Sequence, residues 1–492
     1  MTDEGRAHRL ILRGGLSAGG GLVVRLGARI AFLIVAAQLF GAALFGAFSL
    51  AVAVVEVAAA VAALGMKRYL FRLLEEPGER SPAHVLVDTV LLVAAASVLL
   101  GAAIAVAGLA APRELLAAQT AFALVFVAPM VAGQALLDLL LAATRWKHRM
   151  RYDVVARSVV EPYVGVAGSV LAYLAGFEAV GLLVGYAAGT LAALGYAAHG
   201  TLKSFGGLDL RRYRARPAVL LATLRATVTP TATDTVAAFF GRADLYLVGV
   251  LMGETAAGIY AMARQLKTPI RQVRQAFDGL LTPIVARTLS ADGPASTSAA
   301  IATATRMILA IQLALVLTVV ALGEAMLDWF GAEFAAAYLA LLLLATAETI
   351  QGAFSVSDLL LLYLRARLAL WVIAAMIVVN VATAVPLIAA YGIDGAALSV
   401  LLAIVAGAIL RRALLKSRFG LAPPLAHSAG PLLAAMVAGV AAVAVHRAVP
   451  IHAAPPVHLG ALAGVLLLYW ACLWVWQRTT GETLRLTGFR AA

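Results

Sequence analysis

The chain has 492 residues, 63% of them hydrophobic and 13% charged, with 38 Lys and Arg against 25 Asp and Glu and a formal net charge of +13. A soluble domain carries about 25% charged residues, so the composition excludes one and leaves room for many apolar spans of about 20 residues. The basic residues are spread over one set of breaks between apolar stretches, which excludes a nucleic-acid patch and fits cytoplasmic loops beside anionic headgroups.

Fourteen spans are predicted: 16–40, 46–66, 84–111, 115–143, 153–175, 179–201, 218–252, 256–286, 299–323, 335–363, 368–390, 395–415, 427–447 and 458–477. The basic breaks hold Arg6, Arg9 and Arg13; Lys67, Arg68, Arg72 and Arg80; Arg145, Lys147, Arg149 and Arg151; Lys203, Arg211, Arg212, Arg214 and Arg216; Arg365 and Arg367; and Arg411, Arg412, Lys416 and Arg418. Between them lie breaks with acids (Glu114, Glu178, Glu254, Glu324, Asp328, Glu333, Asp394) and only Arg113 and Arg447. Lys and Arg resist translocation, so both termini are expected in the cytoplasm and the outer loops are too short for a folded catalytic domain.

Charges inside the spans are the candidate site residues. The first span carries Arg25 and Arg29, one turn apart. The seventh carries Asp234, Arg242 and Asp244, and the eighth Arg264, Lys267, Arg271 and Arg274 at +3, +4, +3 with Asp278 four further on. At about 100° per residue these five share one helix face. A charge facing lipid at mid-bilayer costs about 2.5–3.5 kcal/mol, so the stripe is expected to face a water-filled interior, with snorkelling to the headgroups as the alternative. Pro269 is expected to kink this helix.

The tenth span repeats the spacing with Glu348, Gln351, Ser355 and Asp358. Such carboxylates either couple to ions or pair with cations of a neighbouring helix. Glu56, Asp88, Asp138 and Glu161 stand isolated in the sequence and read as structural. No histidine set has metal-ligand spacing, and "RGGLSAGGG" (13–21) lacks the Lys-Ser/Thr ending of a nucleotide loop.

The chain also repeats itself. "LFGAALFGAF" (39–48) aligns with "LMGETAAGIY" (251–260), placing Gly41 over Gly253, Gly46 over Gly258 and Phe48 over Tyr260, each offset by 212. "AGFEAVGLLVG" (175–185) resembles "YGIDGAALSV" (391–400). Each motif closes one helix and opens the next, so the fold class is an all-α integral membrane protein of about 14 transmembrane helices in two pseudo-symmetric six-helix lobes. The boundaries are 1–202 for the first lobe, 203–217 for a cytoplasmic linker, 218–416 for the second lobe, and 417–492 for two additional helices and a cytoplasmic tail. Parallel six-helix repeats place a substrate site at their interface.

"GRADLYLVGVLMGETAAGIYAMARQL" (241–266) resembles the seventh-to-eighth helix signature of the polysaccharide-transport flippases, within the multidrug/oligosaccharidyl-lipid/polysaccharide exporter superfamily. The shared pattern is an acid (Asp244), a glycine-containing apolar helix, then Gly-x-Tyr and Ala before a basic residue. The segments at 37–66 and 391–400 are similar to the corresponding first-lobe and twelfth-helix segments.

The resemblance implies a flippase that moves a polyprenyl-pyrophosphate-linked oligosaccharide from the inner to the outer face of a bacterial plasma membrane by alternating access, for cell-surface polysaccharide synthesis. Its cationic cavity would be fed by both lobes, through Arg25, Arg29, Arg264, Lys267, Arg271 and Arg274. Asp234, Asp244, Asp278, Glu348, Gln351 and Asp358 would serve ion coupling or charge pairing. Membrane lipids and a polymerase complex are the expected partners, with no cofactor. Without an ATP-binding motif, the energy would come from a proton or sodium gradient, the membrane potential or the substrate gradient. A lipid II flippase shares the electrostatics, whereas a multidrug exporter would need an acidic or aromatic cavity. A polysaccharide polymerase or ligase would need a large outer loop with catalytic Arg or His.

Overall fold

The computed structural model describes residues 24, 26–76, 80–112, 117–206, 213–277, 293–421 and 428–480, and among them there are helices and turns but no strand. Two compact units divide the chain, Met1–Gly258 and Ile259–Ala492.

In the first unit, α1 (26–40) ends in one π turn, Ala36–Phe40, and leads into α2, Gly41–Ala62. Leu26–Ala62 is 37 residues, about 55 Å at 1.5 Å per residue. That exceeds a hydrocarbon core of about 30 Å, so the stretch is too long for one crossing. The chain breaks at Gly41, with φ 71° and ψ 176°. Gly253, its repeat equivalent, has φ 87° and ψ −177°. This backbone region is open essentially only to glycine, which is why both copies keep one there. The second pair of repeated turns behaves alike: Gly176 and Gly392 both have positive φ, 85° and 58°.

α3 (Met66–Glu75) is short and amphipathic. Met66, Leu70 and Leu74, spaced four apart, are fully buried, while Arg72 and Glu75 are exposed. α4 (Pro82–Ala110) starts where Ser81 Oγ accepts from His84 N at 3.3 Å with Pro82 at the first helical position, a standard start signal. α5 (Ala118–Val127) and α6 (Met130–Trp146) form a span bent by 45°. α7 (Arg151–Leu174) contains a π turn at Ala156–Val160, and α8 (Glu178–Phe205) packs along it and along α6. α9 (Pro217–Phe240) and α10 (Ala243–Met252) meet at 46° and lie against α2.

α11 (Glu254–Leu266) crosses α2 through its first turn. A Cβ on Gly46 would fall on the Glu254 carbonyl, and one on Gly258 would fall on the Ala42 carbonyl. Ala42 and Glu254 are themselves 212 apart, so the two copies of the motif pack on each other reciprocally, backbone to backbone. Small residues permit such close approach in membranes. Glu254 Oε1 also accepts from Thr120 N at 2.7 Å and Thr120 Oγ1 at 2.6 Å, satisfying a free N–H at the start of α5.

In the second unit, α12 (268–277) continues the eighth span. α13 (Gly293–Phe330) is followed by a 3₁₀ segment, Ala332–Ala337, and α14, Tyr338–Ala353. Helical residues then run from Ser355 to Phe419 with non-helical backbone at Arg365 and Gly392. These breaks divide them into α15 (355–364), α16 (366–391) and α17 (393–419). α18 (Ala429–Ala448) and α19 (Pro455–Thr480) close the unit. Ala434, Ala438 and Ala442 form a small-residue stripe that brings α18 onto Leu317 and Ala321 of α13, and Tyr469 of α19 donates to Ala310 O at 2.9 Å.

By length and hydropathy, nine helices among the described residues can cross a membrane, or eleven with each bent pair taken as one span. The protein is a multi-pass membrane protein. The fourteen expected spans exceed that number partly because Leu26–Ala62 and Arg367–Phe419 each count once although Gly41 and Gly392 break them.

Candidate functional site

Each unit holds a network of charged side chains within its apolar helices. In the first, the π turn of α7 carries Arg157, which pairs with Asp138 of α6 and donates to Glu161 Oε2 at 3.0 Å and Gln134 Oε1 at 3.3 Å. Asp138 also pairs with Lys67 Nζ at 2.5 Å, tying α3 to α6. Gln134 Nε2 donates to Glu161 Oε1 at 3.0 Å and Thr190 Oγ1 at 3.2 Å. Two cations thus meet two carboxylates. Elsewhere in this unit Arg242 pairs with Glu56, Arg80 pairs with Asp88, and Tyr213 donates to Asp88 at 2.6 Å.

The four acids that look isolated along the chain are therefore all partnered. Their partners come from other helices or loops at separations of 8 to 186 residues, apart from the Arg157–Glu161 pair one turn apart. The same geometry alters the expected Asp234, Arg242 and Asp244 set. The bend between α9 and α10 falls at Gly241–Arg242, and Arg242 turns to Glu56 of α2. Asp244 is buried at the start of α10, and Asp234 is half-buried on α9. Arg29 is half-buried on α1, and Arg25 lies outside the described residues.

In the second unit the network among the described residues holds more cations than carboxylates. α11 ends at Leu266, Lys267 forms a turn, and α12 starts at Thr268. Pro269 has no N–H to continue the ladder, and the break falls beside it, as expected. Thr268 Oγ1 donates to Arg264 O at 3.3 Å, and Gln312 Nε2 from α13 donates to Ile270 O at 3.0 Å. The break separates the four cations into different environments. Lys267 is buried, whereas Arg264, Arg271 and Arg274 are half-buried.

Lys267 Nζ lies 3.2 Å from Glu348 Oε1 of α14, with side chains 10% and 6% exposed. Arg271 and Arg274 also act on that carboxylate through their charges. Arg411 of α17, buried, pairs with Asp358 of α15 and donates to Met376 Sδ at 3.2 Å. Arg306 on α13 is also buried. Among the described residues, Lys267, Arg271 and Arg274 thus stand with Glu348, and Arg411 stands with Asp358 within reach of the Arg274 charge, four cations with two carboxylates. Such a surplus within apolar helices suits polyvalent anions, which Arg binds bidentately.

The expected single stripe on the tenth span is divided. α14 stops at Ala353, Phe354 breaks it with φ −106° and ψ 6°, and α15 begins at Ser355. Glu348 and half-buried Gln351 thus belong to one helix, and Asp358 belongs to the next. Both carboxylates have cationic partners, one of the two roles expected for them. Asp278 lies outside the described residues. Sequence reasoning passed over Arg157, Gln134, Arg306 and Gln312, and assigned Lys67 and Arg411 to loops. Arg306 and the Arg157–Glu161 pair were visible as charges within predicted spans, whereas Arg411 sits at a span's basic end and only the fold shows its burial.

Neither a family model nor a curated protein sequence matches this chain. Solved structures do match its fold. A structure of the lipid II flippase MurJ in an inward closed conformation aligns over 94% of this chain and 99% of its own, with TM-score 0.74 and 12% identity. An inward-facing multidrug resistance MATE family transporter of the MOP superfamily aligns over 80% of this chain and 99% of its own, with TM-score 0.63 and 15% identity. A MOP superfamily transporter from Pyrococcus furiosus, described by a reverse polarity of its binding pocket, covers 83% and 95%, with TM-score 0.57 and 16% identity. At these identities, what the chain shares with all three is their fold.

Proposed function

We propose that the protein is a flippase for a polyprenyl-pyrophosphate-linked saccharide. The observation that carries this reading is the set of buried and half-buried cations, Lys267, Arg271, Arg274 and Arg411, gathered around Glu348 and Asp358 among the described residues. A pyrophosphate-linked sugar cannot cross hydrocarbon because its charges and hydroxyls would lose their water. A cationic, hydrated path removes that barrier while the polyprenyl chain stays in lipid. Half-buried Arg264, Arg271 and Arg274 of the second unit are the residues assigned to the headgroup. Buried Lys267 holds Glu348 in place among them. Glu348 and Asp358 tune the positive field, and a proton or sodium gradient is the proposed energy source.

Two cargoes share this headgroup chemistry: a surface-polysaccharide repeat unit, to which the 241–266 signature points, and lipid II. The second is favoured by the fold match to a lipid II flippase over 94% of the chain. A cationic drug as cargo fits poorly with a basic interior.

The test is binding of polyprenyl pyrophosphate to the purified protein. Replacing Arg271 and Arg274 with Gln is expected to weaken it about tenfold or more, since hydrogen bonds to charged groups contribute about 1.5–3 kcal/mol each, and raised salt should weaken the wild type. Equal affinity in both proteins would remove these residues from the path.

A further inference from the structure

The bent pair α9–α10 in the first unit is held unevenly along its length. Its second half, α10, is fixed to α2 at two places. Arg242 at the bend pairs with Glu56, and Gly249 lies so near Leu50 that a Cβ would stand 2.5 Å from its side chain. The first half is held differently. Among the described residues of α9 (Pro217–Phe240), Thr227 alone is buried, and residues 217–226 are all exposed or half-buried. The four residues before it, 213–216, are not helical.

A clasp of side chains anchors this loosely packed end. Asp88, in the second turn of α4, is 4% exposed and gives one carboxylate oxygen to each of two partners. Arg80 pairs with Oδ2, and Tyr213 Oη donates to Oδ1 at 2.6 Å. A buried carboxylate satisfied in this way avoids the cost of an unpaired charge. Arg80 Nη2 also donates to Arg214 O at 3.0 Å, and its guanidinium lies 5.8 Å from the centre of the Tyr213 ring. His84 meets the same ring in a T-shaped contact at 5.8 Å. These bonds tie the start of α4 to residues 125 and 134 positions further along the chain.

α9 also carries its own pivot. Pro230 has no N–H to offer Ala226 O, a common cause of helix kinks. Beside it, Thr227 Oγ1 donates to Leu224 O at 3.1 Å and Thr231 Oγ1 to Thr227 O at 2.6 Å, back-bonds that favour bending. Gly65, with φ 62°, seats the pivot: a Cβ there would lie 2.8 Å from Pro230 Cβ and 2.9 Å from Thr231 N. We propose that residues 213–229 form a lever within the first unit, latched at Arg80, Asp88 and Tyr213 and hinged at Pro230, that swings free while α10 and the rest of the unit stay folded. Segments that open locally are those with few buried apolar contacts, as 217–226 have. The charge pattern along the chain places the latched end on the cytoplasmic side. The lever does not depend on which cargo the protein carries.

Amide hydrogen exchange of the purified full chain, read peptide by peptide by mass spectrometry, tests the lever. In wild type, amides of 219–229 should exchange faster than those of α8, at a rate that low denaturant leaves unchanged, which marks local opening. Tyr213→Phe keeps the ring and removes one donor to Asp88. It should speed exchange of 219–229 about tenfold or more and leave α4 and α8 as they were. Asp88→Asn should speed it further, with the boundary of fast exchange still at Pro230. Should Asp88→Asn fail to fold, Tyr213→Phe alone decides. The lever is overturned if folded Tyr213→Phe protein exchanges 219–229 like wild type, or if fast exchange runs through Pro230 into α10. It is also overturned if protection falls equally across α4 and α8, which would make the clasp a brace for the whole unit.

Discussion

Removing Glu348 should destabilise the protein more than removing its partner Lys267, and the difference follows from the charges around the pair. At 3.2 Å and an effective dielectric of about 20, the Coulomb attraction is about 5 kcal/mol. Both side chains are almost fully shielded, so screening by water reduces this little. Deleting one member of a buried pair leaves the other uncompensated, at a typical cost of about 3–5 kcal/mol. Glu348→Gln leaves three cations, Lys267, Arg271 and Arg274, facing a neutral amide. Lys267→Met leaves Glu348 with Arg271 and Arg274, and should cost less than half as much. Combining Lys267→Met with Glu348→Gln leaves two cations in place of three facing the neutral amide, and should be more stable than Glu348→Gln alone by about 1–3 kcal/mol. Equilibrium unfolding in mixed micelles, followed by circular dichroism, measures all four proteins. The reasoning is refuted if the two single losses are equal and add within about 0.5 kcal/mol in the double variant.

Three other outcomes test the packing. Gly258→Ala should abolish folding or lower the thermal midpoint severely, because the new Cβ meets the Ala42 carbonyl in the α2–α11 crossing. Gly464→Ala on α19, with open space at its Cβ, should leave stability unchanged or raise it by up to about 1 kcal/mol; thermal melts compare the two. Glu254→Ala removes the acceptor for both Thr120 donors and should cost about 1–3 kcal/mol. Thr120→Val keeps the backbone bond and should cost less, and a reversed order in denaturant melts would contradict the capping role. Arg157→Met should strand Asp138 and Glu161 and destabilise the first unit by about 3 kcal/mol. The second substitution Glu161→Gln should recover part of the loss, read by the same unfolding assay.

Local patterns carried the helical architecture and the sharp turns. Gly41 and Gly253 could be matched from the sequence because only glycine serves their backbone angles, so the residue itself records the geometry. Pro269 marked the break near Lys267 for a similar reason. The charge partners were another matter. Nothing in the sequence ties Glu56 to Arg242 or Lys67 to Asp138, because those pairings depend on which helices become neighbours. Periodicity also treats a helix as unbroken. The α11–α12 stripe and the Glu348–Asp358 stripe both contain a break, at Lys267 and at Phe354, and a single break resets the face on which later residues lie. Arg306 shows a different failure, a charge within a predicted span that was visible and simply passed over.

The central claim, that the cationic interior carries a pyrophosphate-linked saccharide, is tested most directly in liposomes. Movement of a polyprenyl-pyrophosphate saccharide between leaflets would be followed beside movement of the cationic dye rhodamine 6G. The account predicts that wild type moves the saccharide and not the dye, and that folded Arg271→Gln/Arg274→Gln protein loses saccharide movement. Dye movement without saccharide movement, under imposed proton or sodium gradients, would contradict it and make the protein a cation exporter.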